Sequence, residues 1–382
     1  MAKVLFVTND FGPRAGGIET FVTGLIERLP KNSVVVYTSK QISSEEYDAK
    51  WLRDFGVVVV RDRTKILLPT PRVGREIRRA LQKSNALTVC FGAATPLGLL
   101  APMLRRAGVT RIVSLTHGHE VWWAKVFPFS LALRRVGSTV DVLTYLGNYT
   151  KSAISAALTS HAADAMVKIA PGIDVNHFAP WPESAAPETL RAELGLLNKS
   201  LIVCVGRLVH RKGQDRLIES LALVRKKFPQ VHLILVGEGP YRKKLQEIAK
   251  KCEVESAVTF IGRVQYAQLP RYIRCGDIFA MPSRSRFAGL EVEGLGIVYL
   301  EASACSLPVI AGDSGGAPDA VIPGVTGLVV DGSKTGEIAS AICELLSDPD
   351  RAQAMGEVGR AWIVDQWSWE KWSGKFRELL QI

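Results

Sequence analysis

Residues 201–214 read Leu201-Ile202-Val203-Cys204-Val205-Gly206-Arg207-Leu208-Val209-His210-Arg211-Lys212-Gly213-Gln214, and this stretch decides the fold. The first five residues are apolar and rich in β-branched side chains, which predicts a short buried strand ending at Gly206. The loop after the strand carries Arg207 and Lys212, and the apolar periodicity of residues 214–227 predicts a helix. A buried strand, a polar loop and a helix form the repeating unit of an α/β protein with a parallel sheet.

The same alternation of strand and helix runs along the chain in two successive series. The first series has predicted strands at residues 4–7, 33–37, 57–60, 87–91, 111–115 and 140–145, and the second at 201–205, 231–236, 258–261, 278–281 and 308–311. Predicted helices include residues 18–29, 75–82, 214–227, 241–251, 269–275 and 297–305. Two such series predict two Rossmann-like domains. The proline-rich stretch 171–198 separates them, so we place the domains at residues 1–175 and 176–362.

The composition is typical of a globular protein. Of the 382 residues, 47% are hydrophobic and 22% are charged, and no apolar run reaches the ~18–20 residues of a membrane span. The apolar part of the N-terminus is too short for a signal peptide, and the six cysteines form no C-x-x-C pair. We therefore expect a cytoplasmic protein with free, buried thiols.

The positive charge is concentrated in the first half of the chain. Residues 1–180 hold 23 Lys/Arg and 13 Asp/Glu, whereas the remainder hold 25 and 24, so the first half carries +10 of the net +11. Such asymmetry predicts an anionic partner for that half, which could be nucleic acid, an acidic substrate or an anionic membrane surface.

Two carboxylates, Glu293 and Glu301, stand eight positions apart across the turn Gly294-Leu295-Gly296, which leads into an apolar run beginning at Ile297. If a helix begins near Gly296, Glu301 lies on that helix and Glu293 lies in the loop before it. The free N–H groups of a helix N-terminus suit a diphosphate, whereas neighbouring carboxylates suit hydroxyl groups. The combination indicates a nucleotide sugar, which is a diphosphate flanked by two polyols.

Arg207 and Lys212 fit the same interpretation, because ligands bind at the carboxyl ends of the strands in open α/β sheets. Two cations there would hold a diphosphate and stabilise the negative charge that develops on it as it leaves. The alternative is an ordinary solvated basic loop, which is the usual role of such clusters.

Three further loops are candidate ligand contacts. Gly16 and Gly17 follow the first strand and would let the backbone approach a phosphate, although a plain tight turn explains them equally well. Gly237 lies either in a nucleotide pocket or in a simple turn into a helix. His117 also follows a strand, but with His119 it lacks the spacing of a zinc pair, so we predict a polar substrate contact and no metal.

With these residues in place, the chain resembles the retaining glycosyltransferases of the two-Rossmann-domain (GT-B) type that carry an E-x7-E motif. The resemblance covers nearly the whole chain and rests on Gly16-Gly17, His117, Arg207-x4-Lys212 and Glu293-x7-Glu301, in that order. Through the stretches 116–120, 140–145, 207–214, 277–282 and 289–301, the chain is similar to the mannosyltransferases that elongate phosphatidylinositol mannosides.

This resemblance implies two domains facing a deep interdomain cleft, with the tail 363–382 packing back on the first. It implies GDP-mannose as donor to the second domain, a phosphatidylinositol monomannoside as acceptor, retention at the anomeric carbon and no metal or other cofactor. Arg207 and Lys212 would then bind the donor diphosphate, Glu301 the ribose, Glu293 and His117 the transferred sugar, and the backbone of Gly16 and Gly17 a phosphate. The remaining expected donor contacts are Gly237, Arg263, Val264, Gly294, Leu295, Gly296 and Ile297.

The charge asymmetry then favours an anionic membrane over nucleic acid, for which no known motif is present. The candidate membrane or acceptor contacts are Arg72, Arg75, Arg78, Arg79, Trp122 and Trp123. The alternative is a solvated arginine face and buried tryptophans. We expect a cytoplasmic protein that associates peripherally with the inner face of the plasma membrane.

Two other functions fit parts of the sequence. A hexosyltransferase of the same family with a different nucleotide sugar and a soluble or other lipid-linked acceptor would share every donor residue and differ in the surface of the first domain. An NAD-dependent oxidoreductase would share the Rossmann fold, but the G-x-G-x-x-G fingerprint after the first strand is missing.

Overall fold

The computed structural model describes residues 3–14, 16–181 and 188–382, which fall into two compact units. One unit runs to Gly172 and includes Trp369–Ile382, and the other spans Ile173–Ser368. Each unit is built on a parallel β-sheet whose strands are joined through helices. The predicted α/β fold with two Rossmann-like domains is therefore confirmed.

The first unit contains a seven-stranded sheet in the order β3-β2-β1-β4-β5-β6-β7. Its strands are β1 Val4–Thr8, β2 Val34–Thr38, β3 Val58–Arg61, β4 Thr88–Phe91, β5 Arg111–Ser114, β6 Val142–Tyr145 and β7 Val167–Lys168. Its helices are α1 Gly17–Ile26, α2 Ser44–Phe55, α3 Pro71–Ser84, α4 Ala101–Arg106, α5 Glu120–Lys125, α6 Phe129–Gly137, α7 Asn148–Ser155 and α8 Ser160–Asp164, followed at the end of the chain by the C-terminal helix Trp369–Leu380.

The second unit contains a six-stranded sheet in the order β10-β9-β8-β11-β12-β13. Its strands are β8 Ser200–Val205, β9 Val231–Val236, β10 Val258–Gly262, β11 Ile278–Met281, β12 Val309–Gly312 and β13 Gly327–Val330. Its helices are α9 Glu188–Glu193, α10 Gln214–Val224, α11 Arg242–Lys251, α12 Leu269–Arg274, α13 Ile297–Ala304, α14 Thr335–Ser347 and α15 Pro349–Gln366.

The central strands are buried on both faces, as their continuous apolar runs require. Every residue of β1 and of β9 is buried, including Phe6 in β1 and the polar His232 in β9. The C-terminal helix covers one face of the first sheet, because Phe376 packs edge-on against Phe6 with their ring centroids 6.1 Å apart. Arg111 Nε donates a hydrogen bond to the carbonyl of Leu379 at 3.2 Å and holds the end of that helix.

The order of the strands defines where a ligand can bind in each unit. The order reverses between β1 and β4 in the first sheet and between β8 and β11 in the second. In open parallel sheets the loops at the carboxyl ends of strands on either side of such a reversal form a crevice. The loop after β8 carries Arg207–Gly213, and the loop after β11 leads through Glu293 to α13. The fold therefore brings the two sequence-predicted donor segments to one edge of the second sheet.

Several predicted boundaries differ from the observed ones for local reasons. The helix predicted at residues 75–82 is longer, because the Thr70 hydroxyl caps it by accepting from the N–H of Val73 and Pro71 occupies its first position. The helix predicted at 214–227 ends at Val224, and its last predicted residues form a looser turn. The strands β7 and β13 were not predicted. None of the described helices has the length and apolar character required to span a bilayer.

Candidate active site

The centre of the candidate site in the second unit is the carboxylate of Glu293, which two cations hold. Lys212 Nζ lies 2.8 Å from Glu293 Oε2, and Arg211 Nη1 lies 3.0 Å from the same oxygen. Lys212 and Glu293 are both less than one-tenth exposed. The structure thus joins two residues that the sequence placed in separate loops, and it adds Arg211 as a third member.

The loop geometry that presents these cations depends on one glycine. After β8 the chain forms a tight 3-10 turn at His210–Lys212, which ends at Gly213 in the left-handed region with φ of 76°. A Cβ atom at Gly213 would lie 1.9 Å from the carbonyl oxygen of Pro282. Because both the backbone conformation and the close approach exclude a side chain, glycine is required for the turn that points Lys212 inward.

The pKa of Glu293 shows how these charges balance. Burial raises the pKa of its carboxyl group, but the neighbouring charges of Lys212 and Arg211 outweigh burial and hold the pKa below its ordinary value. Glu293 is therefore ionised at neutral pH. A second carboxylate, Glu291, lies 3.6 Å from Arg211 and pairs with Arg286 at 3.1 Å, so the cluster continues toward the surface of the loop.

The segment between the two predicted carboxylates forms the expected loop and helix. α13 begins at Ile297, and its N-cap Gly296 has φ of 76° and makes no side-chain capping bond. The loop before it is held by backbone, since the N–H of Gly316 donates to the carbonyl of Glu293 at 2.8 Å. Gly294 and Leu295 complete this turn, and Leu295 is buried. The first N–H groups of α13 lack partners within the helix, as at any helix N-terminus.

Glu301 lies in the interior of α13 in a different environment from Glu293. Its side chain is 5% exposed, and its Oε2 has no hydrogen-bond partner among the residues that the structure describes. Burial raises the pKa of Glu301 to about 8. A buried carboxyl group with an unused oxygen suits a hydroxyl ligand, because hydroxyls both donate and accept hydrogen bonds.

The other predicted donor contacts follow neighbouring strands at the same edge of the sheet. Arg207 is exposed, and its carbonyl accepts a hydrogen bond from Gln214 Nε2 at 3.2 Å. Gly237 follows β9 with φ of 138°, and a Cβ atom there would lie 2.1 Å from the carbonyl of Gly206, so packing between loops already requires this glycine. Arg263 is exposed and Val264 is half-buried directly after β10.

In the first unit, His117 follows β5 and is held from two sides. Its backbone N–H donates to Oε2 of the fully buried Glu120 at 2.9 Å, and its ring Nε2 is bonded to the carbonyl of Gly92 after β4. The ring contacts Phe21 edge-on and stacks beside His119. Burial lowers the pKa of His117. The ring is therefore neutral at neutral pH, with its proton on Nε2 and an accepting lone pair on Nδ1.

Gly16 and Gly17 lie at the start of α1, after β1. Gly16 is the N-cap in an extended conformation, and a Cβ atom there would meet the carboxylate of Glu19. Arg14 lies beside this carboxylate, at 2.5 Å from Glu19 and 3.3 Å from Asp10. A Cβ atom at Gly17 would meet nothing within 4 Å. Packing among the described residues therefore gives no reason for glycine at position 17.

The candidate membrane residues of α3 do not all face solvent. Arg72 is bound to Asp62, whose side chain is 1% exposed, with its guanidinium 2.9 Å from the carboxylate. Arg72 is therefore not one of the free cations of this face, because it neutralises a buried charge. Arg75, Arg78 and Arg79 are exposed, and Arg79 pairs with Glu76 at 2.6 Å.

The apolar side of α3 is not a surface either, because Ile77 and Leu81 belong to the core. Trp122 and Trp123 are half-buried and pack against Phe129, with ring centroids 4.6 and 5.0 Å from it. The neighbouring Phe127 is 77% exposed. The aromatic segment is thus partly core and partly surface.

Sequence reasoning missed several charged residues of the site. Arg211 stands directly before Lys212, and the basic run His210-Arg211-Lys212 was a signal that could have found it. Arg284 and Asp215 form a buried pair behind the loop, but they stand 69 positions apart and nothing local links them.

Among the described residues, no group of three or more His, Cys, Asp or Glu side chains is placed to hold a metal ion. All six cysteines are free, and four of them are buried.

Comparisons with known proteins agree with this fold. A family model described as "Glycosyl transferases group 1" matches residues 187–362. The chain is 45% identical over 378 residues to a "GDP-mannose-dependent alpha-(1-6)-phosphatidylinositol monomannoside mannosyltransferase" of Mycolicibacterium smegmatis, covering 99% of this chain and 98% of that protein. It is 41% identical over 383 residues to the corresponding enzyme for the monoacylated acceptor from Corynebacterium glutamicum, covering 99% and 98%.

Solved structures share the fold at low sequence identity. HepE of Anabaena in complex with UDP superposes with a TM-score of 0.83 at 20% identity, covering 99% of both chains. Sucrose-phosphate synthase of Thermosynechococcus elongatus superposes with a TM-score of 0.78 at 21% identity, covering 99% of this chain and 98% of that one. At this identity the likeness concerns the fold alone.

The raised pKa of Glu301 predicts a specific dependence of stability on pH. The folded chain keeps a proton on Glu301 up to pH about 8, whereas the unfolded chain loses it near pH 4.3. Between these values the unfolded state binds fewer protons, so this group lowers the free energy of unfolding by up to about 1.4 kcal/mol for each unit that pH rises. Glu301→Gln should remove that slope, as measured by urea unfolding from pH 5 to 8.

The matched control is Glu357→Gln at an exposed position of α15, which should keep the wild-type slope. Parallel pH profiles for wild type and Glu301→Gln would show that Glu301 ionises normally in the folded protein.

Proposed function

The chain belongs to the glycosyl transferases group 1 family, and from this membership we propose that it transfers mannose from GDP-mannose to a phosphatidylinositol mannoside. The observation that carries the proposal is the cluster of Lys212, Arg211 and Glu293, in the same unit as Glu301, whose Oε2 has no hydrogen-bond partner among the described residues. Cations suit a diphosphate, and carboxyl groups suit the hydroxyls of a ribose and a hexose. The full-length relatives name GDP-mannose as donor and phosphatidylinositol monomannoside as acceptor.

We propose that the second unit binds the donor. Arg207, Arg211 and Lys212 neutralise its diphosphate together with the N–H groups at the start of α13. Glu301 binds the ribose hydroxyls, and the loops that hold Gly237, Arg263 and Val264 contact the nucleoside. Because three cationic side chains are available for the diphosphate, no metal ion is needed.

Donor binding exchanges the partners of Glu293. Its carboxylate is the counter-ion of Lys212 and Arg211. A diphosphate brings a larger negative charge to the same cations and competes for them. We propose that Glu293 then turns to the hydroxyls of the mannose, while the cations serve the phosphate. The exchange couples occupation of the diphosphate site to recognition of the sugar.

In the reaction, the bond between the anomeric carbon and the β-phosphate oxygen breaks, and a bond from the acceptor hydroxyl oxygen to that carbon forms. The hydroxyl proton passes to the leaving phosphate, so that GDP is released. Negative charge builds up on the diphosphate as the bond breaks, and Lys212, Arg211 and Arg207 stabilise it most strongly at that point.

We propose that the first unit binds the acceptor. Neutral His117 offers the lone pair of Nδ1 to a sugar hydroxyl, since its Nε2–H is held by Gly92. The backbone of Gly16 and Gly17 approaches a phosphate, and the open space at Gly17 supports this role. Exposed Arg75, Arg78 and Arg79 attach this unit to an anionic membrane. The location that follows is the cytoplasm, peripheral to the inner face of the plasma membrane.

The donor preference is the first test of the function. In calorimetric titrations with EDTA present, GDP-mannose should bind, whereas UDP-glucose and NAD should not. Incubation with phosphatidylinositol monomannoside should then yield a product heavier by one hexose, detected by mass spectrometry. Preference for a UDP sugar would keep the family but remove this donor and acceptor, and binding of NAD alone would overturn the function.

The role of Lys212 predicts a large loss of turnover without loss of the fold. Lys212→Ala removes the cation closest to Glu293, and we expect kcat to fall about 10²–10³-fold, which is typical when one stabilising group of a transition state is removed. Circular dichroism should remain unchanged, because Glu293 keeps Arg211 as its partner.

Lys244→Ala serves as the control for Lys212→Ala, since Lys244 forms an exposed pair with Glu247 in the same unit. This variant should keep wild-type turnover. A Lys212→Ala variant with normal kcat would contradict the proposed role at the diphosphate.

The membrane attachment predicts binding to anionic vesicles at low ionic strength. Arg75→Gln/Arg78→Gln should weaken binding to phosphatidylglycerol vesicles roughly thirtyfold, because each juxtamembrane cation contributes about 1 kcal/mol. Binding is measured by flotation, with phosphatidylcholine vesicles as the uncharged reference. The double variant Lys243→Gln/Lys244→Gln changes two exposed cations of the second unit and should bind like wild type. Equal binding by both double variants would contradict attachment through α3.

A further inference from the structure

Behind the cationic loop after β8 lies a buried ion pair that the proposed chemistry does not use. Arg284 follows β11, Asp215 lies in the first turn of α10, and Arg284 Nη2 is 2.7 Å from Asp215 Oδ2. Arg284 is 9% exposed and Asp215 is 6% exposed. Removing two charges from water costs free energy, so the burial of this pair calls for a structural reason.

Arg284 forms hydrogen bonds to the middle of the loop after β8. The backbone N–H of Arg284 donates to the carbonyl of Arg211 at 2.8 Å, and its guanidinium Nη2 donates to ring Nε2 of His210 at 2.8 Å. Burial, followed by the charge of Arg284, lowers the pKa of His210. The ring is therefore neutral and can accept this hydrogen bond. His210 and Arg211 are the two residues before Lys212, so Arg284 sets the position of the turn that carries both cations.

The start of the loop is held from α10. Gln214 Nε2 donates to the carbonyl of Arg207 at 3.2 Å, next to Asp215 on the same helix turn. The loop that presents Arg207, Arg211 and Lys212 is thus fixed at its start and its middle. We call the four residues that hold it, His210, Gln214, Asp215 and Arg284, the loop clamp.

Stability alone does not account for the loop clamp. Buried ion pairs contribute little net stability, and apolar residues of similar size often replace them without loss. Moreover, Arg284 Nη1, Asp215 Oδ1 and His210 Nδ1 are buried without a hydrogen-bond partner among the described residues. Unpaired buried polar atoms cost free energy. What the clamp provides is a defined position for the backbone of the loop.

We infer that the loop clamp positions Arg211 and Lys212 for the diphosphate of the donor, with Arg284 and Asp215 as positioning residues that do not touch the substrate. This inference rests on the proposed function. Electrostatic stabilisation of a developing charge requires cations fixed in advance, and displacement by about 1 Å can cost on the order of 10²-fold in rate. The guanidinium of Arg284 gives this rigidity because its Nη2 donates to Asp215 and to His210 at once.

The experiment uses calorimetry to compare the affinity of the protein for GDP with its affinity for GMP, which lacks the β-phosphate. The variants are Arg284→Met and Asp215→Asn, and the control is Arg216→Gln, whose native side chain pairs with Glu219 on the same helix at 2.6 Å. Both clamp variants should lose affinity for GDP about tenfold or more, with a smaller change for GMP, because displaced cations weaken chiefly the diphosphate contacts. The control should keep the wild-type ratio of the two affinities.

A purely structural role would lower both affinities equally or lower only the melting temperature, and an unchanged GDP-to-GMP ratio in both variants would overturn the inference. If Arg284→Met does not fold, Asp215→Asn decides alone, since asparagine keeps the size and one accepting oxygen. Failure of wild-type protein to bind GDP would overturn the proposed function together with the clamp. Normal wild-type binding with unchanged ratios would overturn the clamp only.

Discussion

The contact of Glu293 with Lys212 and Arg211 is the interaction on which the rest of the candidate site depends. Burial by itself would protonate Glu293, and the two cations keep it ionised. In return, the carboxylate permits two positive charges to remain close together in a largely buried place. A ligand that enters must supply negative charge in place of the carboxylate. In the proposed function a diphosphate does so, and the hydroxyls of its sugar give the displaced carboxylate new partners.

The two carboxyl groups of the E-x7-E segment show how environment divides roles between chemically equal residues. Glu293 lies in the loop beside two cations and has a lowered pKa, whereas Glu301 lies inside α13, where burial raises its pKa to about 8. One group is therefore an anion and the other largely a neutral acid at neutral pH. Acids whose pKa values are driven apart in this way are suited to different tasks.

The first unit shows that net charge alone overstates the charge available to a partner. Arg72 and Arg61 are both paired with carboxylates inside the unit, at 2.9 Å from Asp62 and 2.6 Å from Asp48. Arg75 and Arg78 remain exposed on α3. An anionic surface would meet this smaller set, since surface attraction depends on accessible charges and falls off within a Debye length.

The sequence by itself determined the alternation of strands and helices, the two parallel sheets and the start of α13, because these follow from local apolar periodicity and from glycine turns. It also placed Arg207 and Lys212 at the carboxyl end of a strand, where such sheets bind ligands, and it placed Glu293 in the loop before α13 and Glu301 on that helix. Only the tertiary structure decided which charges meet. Arg211 and Glu293 stand 82 positions apart, and Arg284 and Asp215 stand 69 apart. Ion pairing depends on distance and burial across the edge of a sheet, and local sequence patterns record neither.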